Sequence, residues 1–311
     1  MNIRLLTAAL LCFGCLGVRP ATAQQKVSLK LDFSTAKKYQ YDFSTHQDIR
    51  QTIKGQEVRS QQDIRMGYTM QAGKKDAAGN TVVESTYNRF SYLMNNPMMG
   101  GKVGYDSGHP EDSSTANGLV AGMMSRLFKE VFSGFLHHSF SFTISPQGKV
   151  ISVTGITEMM DSALDHADFL PQQVREAMKT NMKKSFSNEA MRETLDKSFD
   201  LYAGHPVAVG DSWEKSASLT TPVAMDMQSH YTVKDIKDKT VSLAVSSTLA
   251  SGQSGETKLS GTQSGTMEVD RKSGIPLRAD LNQKMEGSLS TQGMTIPMEI
   301  TGTITITGKA L

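Results

Sequence analysis

At 311 residues, 38% hydrophobic and 21% charged, the chain is long enough for one large domain or two ordinary ones. Its composition excludes a disulfide-stapled peptide, a collagen-like fibre and a disordered tail. Of its 33 Lys and Arg, Arg4 and Arg19 lie in the leader described next, which leaves 31 against 31 Asp and Glu, without the cationic surplus that binding to nucleic acid or an anionic membrane requires.

Residues 1–23 read as a secretory signal peptide. Arg4 precedes an apolar run from Leu5 to Val18, and Ala21-Thr22-Ala23 forms a small-residue cleavage site before Gln24. The run is shorter than the roughly 20 residues of a membrane-spanning helix, and no later stretch approaches that length. The expectation is a soluble exported body, periplasmic or secreted, without a transmembrane span. Both cysteines, Cys12 and Cys15, fall in the leader, so a mature chain from Gln24 has no disulfide, thiolate metal ligand or Cys nucleophile. Cys15 has a second reading as a lipid-anchor site, against which stand Cys12 and the bulky Phe13 in the preceding box.

Beyond the leader, Val27 to Phe33 alternates apolar and polar residues at period two, the mark of a strand with one buried face. Tyr39, Tyr41 and Phe43 continue it. Segments Glu57 to Gln71 and Thr81 to Leu93 flank Gly79-Asn80, which supplies the positive φ of a hairpin turn. From Leu93 to Asp112 the sequence holds turn formers without period, a long loop. Leu119, Met123, Leu127, Val131 and Phe135 then recur every four residues, joined by Val120, Met124, Phe128, Phe132 and Leu136, and predict an amphipathic helix with a broad apolar face.

Phe140 to Ile144 and Val150 to Val153 are short strands around the turn Pro146-Gln147-Gly148. Three helical stretches follow, Ile156 to Ala167, Pro171 to Phe186 and Asn188 to Leu201, with Ser187 placed to cap the last. Strand patterns resume at Ser212–Leu219, Gln228–Val233, Val241–Val245, Thr257–Val269, Leu277–Met285 and Met294–Thr307, where Thr301, Thr303, Thr305 and Thr307 face opposite to Ile304 and Ile306. The predicted fold is α+β and β-rich: a large curved antiparallel sheet, either an open half-barrel or two similar β halves. It forms a single domain, 24–311, with β halves 24–155 and 204–311 around a helical insert 156–203.

Few residues suggest chemistry. Gly210-Asp211-Ser212 looks like the nucleophile block of the GDSL esterases, but it lies mid-chain, leads into a strand and has no histidine after His230. A turn feeding a strand whose Trp213 packs in the core is the preferred reading. His137-His138 stand at a helix end. Asp161, Asp165, His166 and Asp168, like Asp106, His109, Glu111 and Asp112, lack any metal-ligand spacing, so no metal or cofactor is implied. Nineteen methionines are many for this length. They suit ordinary core filling first, then an adaptable apolar pocket, and last cuprous copper at Met225-Asp226-Met227.

Ser145-Pro146-Gln147-Gly148-Lys149-Val150 leading to Gly155, Val209-Gly210-Asp211-Ser212-Trp213, Gly261 to Gly265 and Asp270 to Pro276, with Tyr105-Asp106-Ser107 before the first helix, resemble the landmarks of a family of exported bacterial proteins of unknown function. That resemblance implies an envelope or secreted protein and no catalytic residue. The functional expectation is a non-enzymatic binder or carrier of an apolar, lipid-like ligand, with Met123, Leu127, Phe128, Val131 and Phe135 lining a pocket between helix and sheet. The alternatives are an envelope hydrolase using Ser212, or a structural protein that docks an envelope partner.

Overall fold

The computed structural model describes residues 25–33, 38–110, 118–165, 167–219, 224–252, 257–291 and 294–311. The leader with Cys12 and Cys15, and Glu111, Asp112 and His166, lie outside them. Period-two alternation accounts for most of the chain: β1 (Lys38–Ile53), β2 (Gln56–Lys75), β3 (Thr81–Asn96), β4 (Gly101–Asp106), β5 (Ser139–Ile144) and β6 (Val150–Thr154) precede β7 (Ser212–Leu219), β8 (Met225–Ile236), β9 (Thr240–Ser251), β10 (Thr257–Asp270), β11 (Pro276–Thr291) and β12 (Met294–Ala310). Helix α1 (Leu119–Ser133) sits between β4 and β5, and α2 (Ile156–Asp165), α3 (Gln172–Ser185) and α4 (Asn188–Phe199) sit between β6 and β7. Ser187 caps α4 by accepting from the Ala190 N–H at 3.2 Å.

The twelve strands of the described residues join one curved antiparallel sheet that is not closed, eleven in the order β6-β5-β3-β2-β1-β12-β11-β10-β9-β8-β7 and β4 paired with β3 off this path. The β-rich α+β architecture is therefore an open half-barrel. The outer edge of β3 is shared: β5 pairs with Thr81–Thr86 and β4 with Ser91–Asn96. Two hydrogen bonds at Tyr87, from His137 N–H to its carbonyl and from its N–H to the His138 carbonyl, bridge the interval. Close strand contacts help the sheet bend. A Cβ on Gly302 would lie 2.4 Å from the His46 carbonyl oxygen, and one on Gly261 2.2 Å from that of Lys284, so only glycine permits the approach.

One end of the half-barrel is stoppered. Residues 25–33 cross it, burying Val27, Leu29, Leu31 and Phe33 among Tyr39, Phe142, Val207 and Ile275. The alternation expected of this segment is real, but among the described residues it makes an isolated bridge from Val27 to Val207 and a single bond from the Asp32 N–H to the Ser273 carbonyl, and no ladder: it is a plug, not a strand of the sheet. The long loop expected after Leu93 is also corrected, since β3 runs on to Asn96 and β4 pairs with it.

Three of the sequence landmarks, around Ser145–Val150, Val209–Trp213 and Asp270–Pro276, gather at this stoppered end, whereas Gly261–Gly265 lies farther along β10, opposite Met285 to Leu281. In the Asp270–Pro276 turn, Asp270 Oδ1 accepts from the Ser273 N–H and hydroxyl at 2.7 and 2.8 Å. The Ser273 carbonyl takes the Asp32 N–H, and the Gly274 carbonyl takes the Tyr202 hydroxyl at 2.6 Å. Trp213 is buried as expected, stacked on Tyr231 with its Nε1–H donating to the Leu201 carbonyl at 2.8 Å. These motifs hold the fold's closed end.

Candidate functional site

Burial alternates along nearly every strand and separates two faces. Outward residues such as Thr262, Ser264, Asn282, Lys284, Thr301 and Thr303 are exposed and polar. Their neighbours face the concave side. There Tyr41 stacks on Tyr68 (5.4 Å between ring centres), Tyr68 meets Tyr87 edge-on at 6.3 Å, and Tyr87 meets Phe140 at 5.9 Å, an aromatic ladder across four strands. Burial pushes the Tyr87 phenol up to about 12 and raises those of Tyr41, Tyr68 and Tyr202. The Tyr41 hydroxyl donates to the Pro276 carbonyl at 3.0 Å.

Helix α1 lies on this concave side at the β3–β4 edge. Phe132 stacks on Phe90 at 3.8 Å and Phe128 lies 4.8 Å from Tyr92. Ser125 Oγ accepts from the Gly104 N–H on β4. Of the residues expected to line a pocket, Val131 is buried, Phe128 packs on Tyr92, Phe135 joins the main core beside Phe132, and Leu127 is half-buried. Met123 does not join them. It is 47% exposed, with Leu119 and Val120 of the first turn exposed as well.

A second apolar cluster, missed by sequence reasoning, lies toward the open end: Met225, Leu249, Leu259 and Met285, with Met227, Met298 and Ile300 packed on them. Met225 and Met227 share this concave face because they sit two residues apart on β8. Between the two clusters the register places a polar row. Gln62 stands opposite Gln47, Gln47 opposite Gly302, Gly302 opposite Gln283, Gln283 opposite Gln263, Gln263 opposite Ser247, and Ser247 opposite Ser229. Met94 and Lys215 end it on β3 and β7. The Ser229 and Ser247 hydroxyls are hydrogen-bonded at 2.8 Å, and Lys215 Nζ is neutralised by Asp200 at 2.6 Å. Toward the stoppered end the next row holds Ile64, Ile304, Leu281 and Val245, and toward the open end Ile49, Ile300, Met285 and Leu249.

Other places carry less. A polar groove of about 480 Å³ is lined chiefly by outward-facing Asp48, Arg50, Arg59, Gln61 and Glu299. Between the sheet edges a cleft of about 440 Å³ includes Lys30, Lys149, Asp196, Asp200 and Lys215. Ser212 is exposed at the first position of β7, and among the described residues no hydrogen bond joins it to a histidine; His230 lies instead opposite Glu214, 3.8 Å from its carboxylate. Among the described residues no three His, Cys, Asp or Glu are grouped to hold a metal ion, and no helix is long and apolar enough to cross a membrane.

Comparison with solved structures returns distant likenesses. Lipovitellin, from a structure titled for its lipid–protein interactions, is 10% identical with a TM-score of 0.46; the match covers 90% of this chain, which spans only 26% of that one. DynF from the dynemicin biosynthesis pathway of Micromonospora chersina is 7% identical, with a TM-score of 0.20 over 92% of this chain and 86% of that one. The translocator domain of the autotransporter NalP from Neisseria meningitidis is 7% identical, with a TM-score of 0.21 over 88% and 90%. All three lie below the level at which two chains share a fold. No curated protein matches by sequence. A family profile does match residues 78–276, from the β2–β3 turn through the start of β11, which is well over half of the chain and spans all of the landmarks above. The chain belongs to the family of unknown function DUF6263.

Proposed function

We propose that this protein binds an apolar, lipid-like molecule along the concave face of its sheet, acting as a carrier outside the cytoplasm after export by residues 1–23 to the periplasm or beyond. One observation supports the reading above others. The helices pack against β3 to β7 and one another, while apolar positions of the central strands, Phe43, Ile49, Ile64, Met66, Ile300 and Ile304, face the concave side and stay half-buried. Such a surface costs free energy in water, about 25 cal/mol per Å², which a hydrocarbon chain lying on it would recover. A few polar groups within an apolar lining are the usual form of a small-molecule site. The polarity of the strands runs opposite to that of a membrane-spanning barrel, whose outward face is apolar.

Native mass spectrometry of the full-length gene product, purified from its own cell envelope under gentle conditions, tests this. A co-purifying lipid-like mass on a chain beginning at Gln24 is expected. A ligand-free mass, together with no uptake of a pyrene-labelled alkane by the purified protein, would overturn the carrier reading. A chain still beginning at Met1 would overturn export.

A further inference from the structure

We infer that the polar row across the concave face selects ligands carrying an uncharged hydrogen-bonding group, an ester, amide or hydroxyl, with hydrocarbon on either side of it. The inference deepens the apolar-ligand reading and rests on it. Its basis is the alignment of six side chains from six strands in one cross-strand row, Gln62 opposite Gln47 and Gln283, Gln263, Ser247 and Ser229 opposed in turn, with Gly302 of β12 between Gln47 and Gln283. Each is flanked along its own strand, two residues away on the same face, by a residue of an adjoining row, and those rows are chiefly apolar.

A sheet that needed only a dry core would continue the apolar rows. Placing amides among them costs free energy unless their donors and acceptors are met. The Ser229–Ser247 pair is satisfied internally, and Gln62 Oε1 lies 3.4 Å from the Tyr92 hydroxyl. Among the described residues, Gln283 has only the weak thioether acceptor of Met285 for its amide N–H. Gln47 and Gln263 make no side-chain hydrogen bond among the described residues. Beside Gln47, Thr45 Oγ1 is shielded from solvent and has no hydrogen-bond partner among the described residues.

The chemistry of the row names the group it fits. Amides and hydroxyls both donate and accept, so they can serve an ester, which only accepts, as well as an amide or hydroxyl, which does both. No charged side chain lies within these six, and the lysine at the end of the row is held by Asp200, so a carboxylate or phosphate would lose hydration without a counter-charge. The aromatic rows on one side and the methionine cluster on the other supply hydrocarbon contacts in both directions. The ligand class is therefore a neutral amphiphile with its polar link within the hydrocarbon, in contrast to a soap-like ion.

Fluorescence titrations of the wild-type protein with three pyrene-labelled probes of equal chain length, an alkane, an ester with alkyl chains on both sides of its carbonyl and a fatty acid, test the inference. They are repeated on Gln47→Leu/Gln263→Leu and on the milder Gln47→Met/Gln263→Met, each checked for native near-UV circular dichroism. Wild-type protein should bind the mid-chain ester about tenfold more tightly than the alkane, the equivalent of one net hydrogen bond. The substitutions should erase that preference and leave alkane affinity equal or improved. Equal affinities in wild type and variants, or tightest binding of the fatty acid, would overturn selection by the row while leaving the carrier reading in place. Failure of wild-type protein to bind any of the probes would remove both.

Discussion

Asp196 and Lys197, neighbours on α4, reach opposite edges of the open sheet. Asp196 Oδ1 accepts from the Val150 N–H of β6 at 2.8 Å, and Lys197 Nζ donates to the Ser218 carbonyl of β7. A sheet with two free edges exposes unpaired backbone groups that invite further strands. Here one helix serves both edges with adjacent side chains, and α4 clasps the seam of the half-barrel.

Removing the acceptor should loosen that clasp. Asp196→Ala is expected to lower stability by about 1–2 kcal/mol, because a half-buried N–H loses a charged acceptor, whereas Asp196→Asn, which keeps an oxygen, should recover most of it. Lys197→Ala should cost about 0.5 kcal/mol or less. Urea unfolding of the three variants measures this, and equal losses in Asp196→Ala and Asp196→Asn would show that the carboxylate oxygen does not hold the edge.

The glycines divide by what surrounds them. Gly302→Ala should destabilise by about 2–4 kcal/mol, since its Cβ would strike the His46 carbonyl oxygen across the strand pair. Gly122→Ala, in the exposed interior of α1 with nothing within 4 Å of the added atom, should stabilise by up to about 1 kcal/mol. Thermal melts of both variants check the opposite signs.

Helix α1 offers a similar contrast. Phe128→Ala removes the ring against Tyr92 and should cost about 2–3 kcal/mol. Met123→Ser, on the exposed side, should fall within about 0.5 kcal/mol of wild type. Denaturant midpoints that ranked the two the other way would show α1 rotated about its axis relative to this packing.

Tyrosine ionisation should report the concave face. The folded pKa of Tyr87 stands near 12 and those of Tyr41, Tyr68 and Tyr202 are also raised, against about 10 in an unfolded chain. A raised folded value means stability that is fully present below about pH 10 and lost as pH climbs through the folded values. Ultraviolet difference titration should show these phenols resisting ionisation near pH 11 until the protein unfolds. Smooth titration of all eight tyrosines near 10 in a folded sample would contradict the buried ladder.

The strands were legible because their alternation is local: on β12, Thr301 and Thr303 are exposed while Ile300, Ile304 and Ile306 are half-buried, as period two demands. The Ser187 cap is equally local. β4 was hidden because Gly101 to Asp106 carries two glycines and no clear alternation, and gains its strand character from pairing with β3. Val27 to Phe33 has the alternation without a neighbour to hydrogen-bond along its length. Met123 stands on the exposed side of α1: the helix's apolar face is broad, so spacing alone does not tell which part of it packs on the sheet. The polar row was invisible for another reason. On its own strand each glutamine reads as a lapse in an apolar face, and only the hairpin registers bring the lapses into line.

The longest reach in the topology is at its centre, where β1 pairs with β12 along almost its whole length, from Tyr39 opposite Ala310 to Gln51 opposite Met298. Such contacts between the two ends of a chain rank among the slowest to form, since the largest loop must close before they contribute. The two meanders can therefore fold early as separate blankets of strands, but the middle of the sheet waits for the final seventeen-residue strand to emerge. Until then the edges of β1 and β11 that β12 will cover stay unpaired, which is where a newly made chain is most open to aggregation.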